Sequence, residues 1–313
     1  MGSVSEKIRL RYQEKLPSEL YGLLRFTESR TAFFRYALDH RGARFILHGL
    51  HFTWMAPVLF TRADWINWGS GVKTNWRNPL SILGYPLKYV FYHSLSSVNA
   101  LIEEDIVDLK RSFRLRDVGY LRYILGGDYD GYRKRLVSHS THSPLRVLVG
   151  NSAHCIDTYY EVADLLGRRS EAFTVHFMLQ YPRQDEEVLA RFASYLDAHL
   201  NHPYQLDLEV MELDAYHAYI DSFDIYICGS MGQSGLGAIG DALLSGVVAV
   251  LRGKNLAYKR SQGFRVYGFE DLNRAATLQD LLLPKSVFET HIQLALRDED
   301  VERAKWISFF EEV

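Results

Sequence analysis

Cysteine is nearly absent from this chain: its 313 residues include two, Cys155 and Cys228. Both lie inside apolar segments, which argues against a disulfide framework or a zinc site and points to reduced core thiols in a cytosolic protein. Long hydrophobic runs are missing as well. No stretch approaches the roughly 18 to 20 apolar residues that span a bilayer, and MGSVSEKIRLRYQEKL has no signal-peptide core. Peripheral contact stays open, because KIRLRYQEKL sets Tyr12 and Leu16 among cations; a plain surface helix is the alternative. Net charge is slight, −2 overall. Yet a cut between Ser143 and Pro144 leaves 21 Lys+Arg against 13 Asp+Glu before it and 15 against 25 after it, about +8 and −10. The basic half suits nucleic acid, an anionic membrane surface or an anionic substrate, and the alternative is solvated faces that differ in charge by chance. Its cations form no single aromatic-interleaved stripe, which argues against nucleic acid. Internal repeats and a Walker lysine are absent too, setting aside repeat architectures and P-loop chemistry.

Alternation of apolar runs with amphipathic ones is what the chain does have. Its length and 47% hydrophobic content predict two compact domains. The second half reads as a strand at Leu145 to Val149, a helix near 157–166, then FTVHFML, a helix near 185–200 and LDLEVM. The helix DAYHAYID, the strand DIYIC, a glycine-rich turn, a helix near 236–244, the strand VVAVL, a helix from about Asn255 and FRVYGF follow. Such alternation predicts a parallel sheet covered on both faces. In the first half, ARFILHG, DWINWG and SVNALIEE read as strands, with helices at TWMAPVLF and PLSILGYPLKYVFYH. The polar segment GDYDGYRKRLVSHSTHSP, 127–144, reads as the linker, giving domains 1–143 and 144–313.

The stretch GSMGQSGLGAIGDALLSG joins a strand to a helix. Glycine there lets a phosphate approach the free amides of a helix start, with Ser230, Gln233 and Ser234 as neutral donors. The alternative is a tight turn whose Gly237 and Gly240 serve helix packing. It is not the usual dinucleotide fingerprint, since it follows a late strand. VGNSA, 149–153, ends the domain's first strand, so both turns are expected at one sheet edge. Glu212, beyond LDLEV, belongs to that edge as a candidate for ribose or sugar hydroxyls, or as a helix-capping acid. Arg252, Lys254 and Lys259 follow VVAVL and are candidates to neutralise a diphosphate, or form an ordinary solvated loop. His48 and Gly49 end the strand FILH, where an imidazole can accept a proton near neutral pH or simply be a buried or capping histidine. NWGSG, with Trp68 and Gly69, has the same character. The acidic pair of DYD falls in the expected linker and SHSTHS lacks acidic or thiol neighbours, so no metal is expected at either.

The order RFILHG, DWINWG, VLVGNS, YP, MELDAY, FDIYICGSMGQSGLG, VVAVLRGKN and FEDLN resembles a family of bacterial transferases. These move 4-acetamido-4,6-dideoxygalactose (Fuc4NAc) from its dTDP form to the lipid-linked precursor of enterobacterial common antigen. The resemblance implies an α/β GT-B glycosyltransferase: two Rossmann-like domains facing across a cleft, the N-terminal one acceptor-side and here shortened, the C-terminal one holding the nucleotide sugar. It implies a cytoplasmic enzyme peripheral to the inner membrane, with a dTDP-sugar donor, a lipid-linked saccharide acceptor and no cofactor or metal. It marks His48 and Glu212 as catalytic candidates and His48, Gly49, Trp68 and Gly69 on the acceptor side. On the donor side it marks Gly150, Asn151, Ser152, Tyr181, Glu212, Gln233, Ser234, Gly235, Leu236, Gly237 and Asn255, besides Pro182, Asp214, Tyr216 and Asp224. Departures stand at Ala153, His154, Asp157, Tyr159 and Gly232, the last removing a cation from the turn. A Rossmann oxidoreductase is the rival enzyme class, and a non-catalytic nucleotide-sugar-binding or partner protein with a degenerate GT-B site is the other reading.

Overall fold

The computed structural model describes residues 29–48, 62–69, 79–123, 128–181 and 184–311, which fall into two compact units divided after Leu121. In the first, β1 (Arg44–His48), β2 (Arg62–Asn67), β3 (Ser97–Ala100) and β4 (Gly119–Tyr120) form one parallel sheet in that order. The helices Arg30–Asp39, Pro79–Ser94 and Glu103–Phe113 accompany it. β2 is buried from Ala63 to Asn67: Ala63 and Trp65 enter the core, and the buried Asp64 is paired with Arg44. Trp65 stacks on Tyr92 at 4.7 Å, and Tyr92 meets Phe113 edge-on at 4.5 Å, which ties sheet and both larger helices into one core. The run SVNALIEE is corrected: its strand stops at Ala100, and Glu103, Glu104 and Asp105 open a helix, where acidic side chains favour the positive helix end. TWMAPVLF and KIRLRYQEKL lie outside the described residues.

The second unit is a six-stranded parallel sheet in the order β10-β9-β8-β5-β6-β7. Its strands are β5 (Leu145–Val149), β6 (Phe173–Met178), β7 (Tyr204–Asp207), β8 (Ile225–Cys228), β9 (Val248–Leu251) and β10 (Tyr267–Gly268). Relative to its own first strand, this is the Rossmann order 3-2-1-4-5-6 in reverse listing. The chain runs outward from β5 to β7, then crosses back to β8 and runs outward the other way. Right-handed crossovers therefore send the helices Ile156–Gly167 and Glu186–His199 to one face and Leu213–Asp221, Leu236–Ser245 and Gly253–Ser261 to the other. Covered on both sides, β8 and β9 are buried throughout, which is why they read as unbroken apolar runs.

The expected linker and the boundary at 143 are both corrected. Residues Tyr129–Ser138 form a helix, capped by Asp128, whose side chain accepts from the Gly131 amide at 2.9 Å. Tyr129, Tyr132 and Leu136, at i, i+3 and i+7, bury one face in the core of the second unit. The long helix Lys285–Glu311 fastens the entry of that unit: Trp306 Nε1 donates to the Arg122 carbonyl at 2.9 Å, and the Arg122 guanidinium reaches Asp298 at 2.9 Å and Glu302 at 3.2 Å. Cys155 and Cys228 are free thiols. No described helix is long and apolar enough to cross a membrane.

Candidate functional site

Two turns leave the carboxyl ends of β5 and β8, the adjacent strands where the sheet order reverses. Open α/β sheets collect ligands at such a reversal, because the flanking helices leave on opposite faces and the loops part. After β5, Gly150 has φ of 81°, and a Cβ there would stand 1.8 Å from the Tyr159 hydroxyl. That hydroxyl donates to the Ser152 carbonyl at 2.7 Å and receives the Ser152 amide at 3.3 Å. Tyr159, a departure from the resembling family, therefore fixes the shape of the Gly150–Ser152 turn. Burial raises its pKa, so it stays a neutral phenol.

After β8, the chain passes Gly229 to Gly235 before the helix Leu236–Ser245 begins. Gly235 is in the left-handed region at φ 66°, and a Cβ on it would fall 2.6 Å from Asn151 Cγ, so the two turns touch. Asn151 Nδ2 donates to Ser234 Oγ at 3.1 Å, while Asn255 Nδ2 donates to the Ser234 carbonyl at 2.8 Å. Cys228 Sγ lies 3.8 Å from Asn151 Oδ1 and Asn255 Nδ2 lies 3.6 Å from the same sulfur. The ends of β5, β8 and β9 are thereby cross-linked by two asparagine amides. Asn255 is fully buried, which makes it a positioning residue behind the turn.

The helix Leu236–Ser245 has no side-chain cap, so the amides of its first turn are left to a ligand or water. Gly237 is exposed with nothing within 4 Å of a Cβ, leaving that backbone approachable. From there a groove of about 520 Å³ runs along the helix, lined by Asn151, Leu213, Tyr216, Gly237, Gly240 and Asp241 among others. Asp241 is the feature that sequence reasoning missed. It is buried, accepts from the Tyr132 hydroxyl at 2.5 Å, and has His217 Nδ1 at 3.1 Å from its other oxygen, an approach too oblique for a hydrogen bond. The available signal was one carboxylate inside the otherwise apolar GLGAIGDALL. Gln233 is half-buried, and its Oε1 has no hydrogen-bond partner among the described residues.

Other expected residues fall differently. Glu212 is exposed where the helix Leu213–Asp221 starts, and makes no side-chain cap; Leu213, Tyr216 and His217 of that helix reach the groove. Tyr181 is 68% exposed, but its carbonyl accepts from the Ala153 amide at 2.8 Å and joins the β6 loop to the first turn. Asp214 is exposed. Asp224 lies at the opposite end of the sheet, where its carboxylate accepts the Arg146 amide at 2.7 Å and the His142 amide at 2.9 Å, a structural role. Of the three cations after β9, Arg252 pairs with Glu161 and lies over the Phe269 ring. Lys259 is corrected: it is fully buried, donates to Gln262 at 3.1 Å and packs on Tyr258 and Phe264, so it cannot neutralise a ligand at the strand ends. Burial, then Arg122, pulls its pKa down to about 7.

In the first unit, His48 ends β1 and Trp68 follows β2, and the pairing of those strands brings their rings to 5.1 Å, edge to face. Burial lowers the His48 pKa, favouring the neutral imidazole that can accept a proton. Gly69 sits beside them at φ 83°, its amide bonded to Asn67 Oδ1 at 2.9 Å. Gly49 and Pro182 lie outside the described residues.

Two parallel α/β units, the second doubly wound with its glycine-rich turn at the reversal, have the GT-B fold of glycosyltransferases. Among solved structures, the chain is similar to TarM, with a TM-score of 0.58 and 12% identity over 93% of this chain and 60% of that one. It spans less than two thirds of TarM's length. A UDP-forming α,α-trehalose-phosphate synthase from Burkholderia xenovorans gives 0.61 and 11% identity over 94% of this chain and 81% of that one. A structure described as trehalose-6-phosphate from E. coli bound with UDP-2-fluoro glucose gives 0.64 and 9% identity over 93% and 80%. No protein-family model and no curated protein matches the sequence.

Proposed function

We propose that the chain is a glycosyltransferase that holds a nucleoside-diphosphate sugar at the β5 and β8 turns and passes the sugar to a hydroxyl. The observation that carries this reading is the uncapped helix start at Gly235 to Gly237, continuous with a groove whose lining includes the buried Asp241. Amides of the helix start would stabilise the diphosphate as it takes up charge on departure, and Asp241 would accept from the nucleoside's hydroxyls. His48, neutral near pH 7, is the base candidate for the incoming hydroxyl, and Glu212 the second carboxylate of the rim. The E. coli neighbour, described with UDP-2-fluoro glucose, supports a nucleotide sugar as donor. The finer terms of the proposal rest on the family resemblance: a dTDP-linked deoxyamino sugar like Fuc4NAc, a lipid-linked saccharide acceptor in cell-surface polysaccharide synthesis, and a place at the cytoplasmic face of the inner membrane.

Thermal unfolding of the full chain with dTDP, UDP or GDP, followed by transfer of labelled sugar to lipid-linked saccharides, tests it. The expected result is a higher midpoint with dTDP and nucleotide release that requires acceptor. No stabilisation by any nucleoside diphosphate contradicts the reading. A second reading, a nucleotide-sugar binder without turnover, is favoured by the engagement of Arg252 with Glu161 and the burial of Lys259, which withdraw two cations from the site. Such a protein would be stabilised by dTDP yet release no nucleotide from the sugar donor.

A further inference from the structure

We infer that the first unit docks on an anionic lipid surface through the exposed face of the helix Pro79–Ser94. Surface helices ordinarily turn charged or polar residues outward. This one does the reverse. Ile82, Leu83, Leu87 and Val90 are 42, 76, 56 and 61% exposed, with Pro86 exposed between them. At a hundred degrees per residue these positions fill one continuous arc, about 140° wide. The opposite side carries Phe91 and Tyr92 into the core. The helix contains no acidic residue, and its one lysine, Lys88, lies off the arc and half-buried.

What covers such a face is indicated by the charge along its edge. The Tyr85 hydroxyl donates to the Ser112 carbonyl at 2.6 Å, and His93 Nε2 lies 2.8 Å from the Phe113 carbonyl. These bonds hold the carboxyl end of the helix Glu103–Phe113 alongside. That end and the turn beyond it carry Lys110, Arg111, Arg114 and Arg116, all exposed. Of the acids, Glu103, Glu104 and Asp105 occupy the far end of the same helix and Asp108 follows them half-buried, while Asp117 is exposed beside Arg116, which leaves four cations against one acid from 110 to 117. An apolar stripe bordered by cations fits the headgroup boundary of an anionic bilayer, the aliphatic side chains below the phosphates and the cations among them. A second copy of the chain would bring the same four cations against each other in a two-fold contact, so it fits the surface less well. The inference deepens the lipid-linked-acceptor reading and rests on it for its purpose, but lipid binding is measured without donor or acceptor.

The test is flotation of the full chain with vesicles of phosphatidylcholine alone and with a quarter of phosphatidylglycerol. The chain is expected to float with the anionic vesicles, less so as salt rises from about 0.1 to 0.5 M. Leu83→Glu with Leu87→Glu is expected to cut partition by about tenfold or more while the unfolding midpoint stays put, because both side chains already face outward. Lys110→Glu with Arg111→Glu is expected to weaken binding to anionic vesicles only. No flotation with anionic vesicles, or flotation untouched by the leucine substitutions, overturns the inference. So does a dimer dispersed by those substitutions in a chain that ignores vesicles, which would make the face a contact between copies. Stabilisation by dTDP, read separately, reports on the donor site whichever way flotation turns out.

Discussion

The sheet of the second unit reverses direction between β5 and β8, whereas the four described strands of the first run β1-β2-β3-β4 without reversal. That difference in strand order governs what each can offer a ligand. At a reversal, the helices following β5 and β8 leave on opposite faces, so their turns part and a crevice opens that glycine backbone can line. In a monotonic sheet, successive strand-end loops lean the same way and present residues one at a time, as His48 and Trp68 are presented. The second unit is therefore suited to gripping a ligand through backbone amides, and the first to contributing a side chain.

Substitutions can break or sharpen this contrast. His48→Ala is expected to lower transfer at least about 100-fold while leaving stabilisation by dTDP unchanged, since it touches only the first unit. A folded variant with full transfer activity removes His48 from the chemistry. Gly150→Val forces a side chain into the Tyr159 hydroxyl and into a left-handed backbone, and is expected to cost about 3 kcal/mol or more in thermal or denaturant unfolding. Gly42→Ala in the first unit, where a Cβ meets nothing within 4 Å, should stay within about 0.5 kcal/mol in the same measurement. Asp241→Asn is expected to weaken nucleotide binding about tenfold by calorimetry, because the groove keeps its shape but loses a charged acceptor.

Lys259→Met has a smaller, pH-dependent effect. Folded Lys259 titrates near 7 against an ordinary 10.5, so between these values the unfolded chain holds the extra proton and stability rises with pH. The cost of burying the charge is complete below about pH 7. Methionine removes that cost, so the midpoint should rise by several degrees or more at pH 6 and by less at pH 9.5. An equal rise at both values would show that packing, not charge, is responsible.

Much of the second unit was legible because fully covered strands must be apolar, and DIYIC and VVAVL are so almost without interruption. The turn residues were legible too, since glycine and small amides between a strand and a helix have few other uses. Their mutual bonding was not, because Asn151, Ser234 and Asn255 are far apart in the chain and meet only when β5, β8 and β9 align. The helix Tyr129–Ser138 was obscured by its polar, turn-forming composition, although Tyr129, Tyr132 and Leu136 keep helical spacing. Lys259 was misread because lysine is ordinarily solvated, and nothing local tells that Tyr258 and Phe264 enclose it. Asp241 was passed over since its helix reads as a packing element, and only the neighbouring helices make it part of the lining of a groove.

Amide hydrogen exchange of the full chain with and without dTDP tests the grip of the second sheet most directly. Slowed exchange is expected in 150–153 and 232–238, with 44–48 and 62–69 unchanged. Protection absent from both turns under saturating nucleotide, or appearing only in the first unit, contradicts the account.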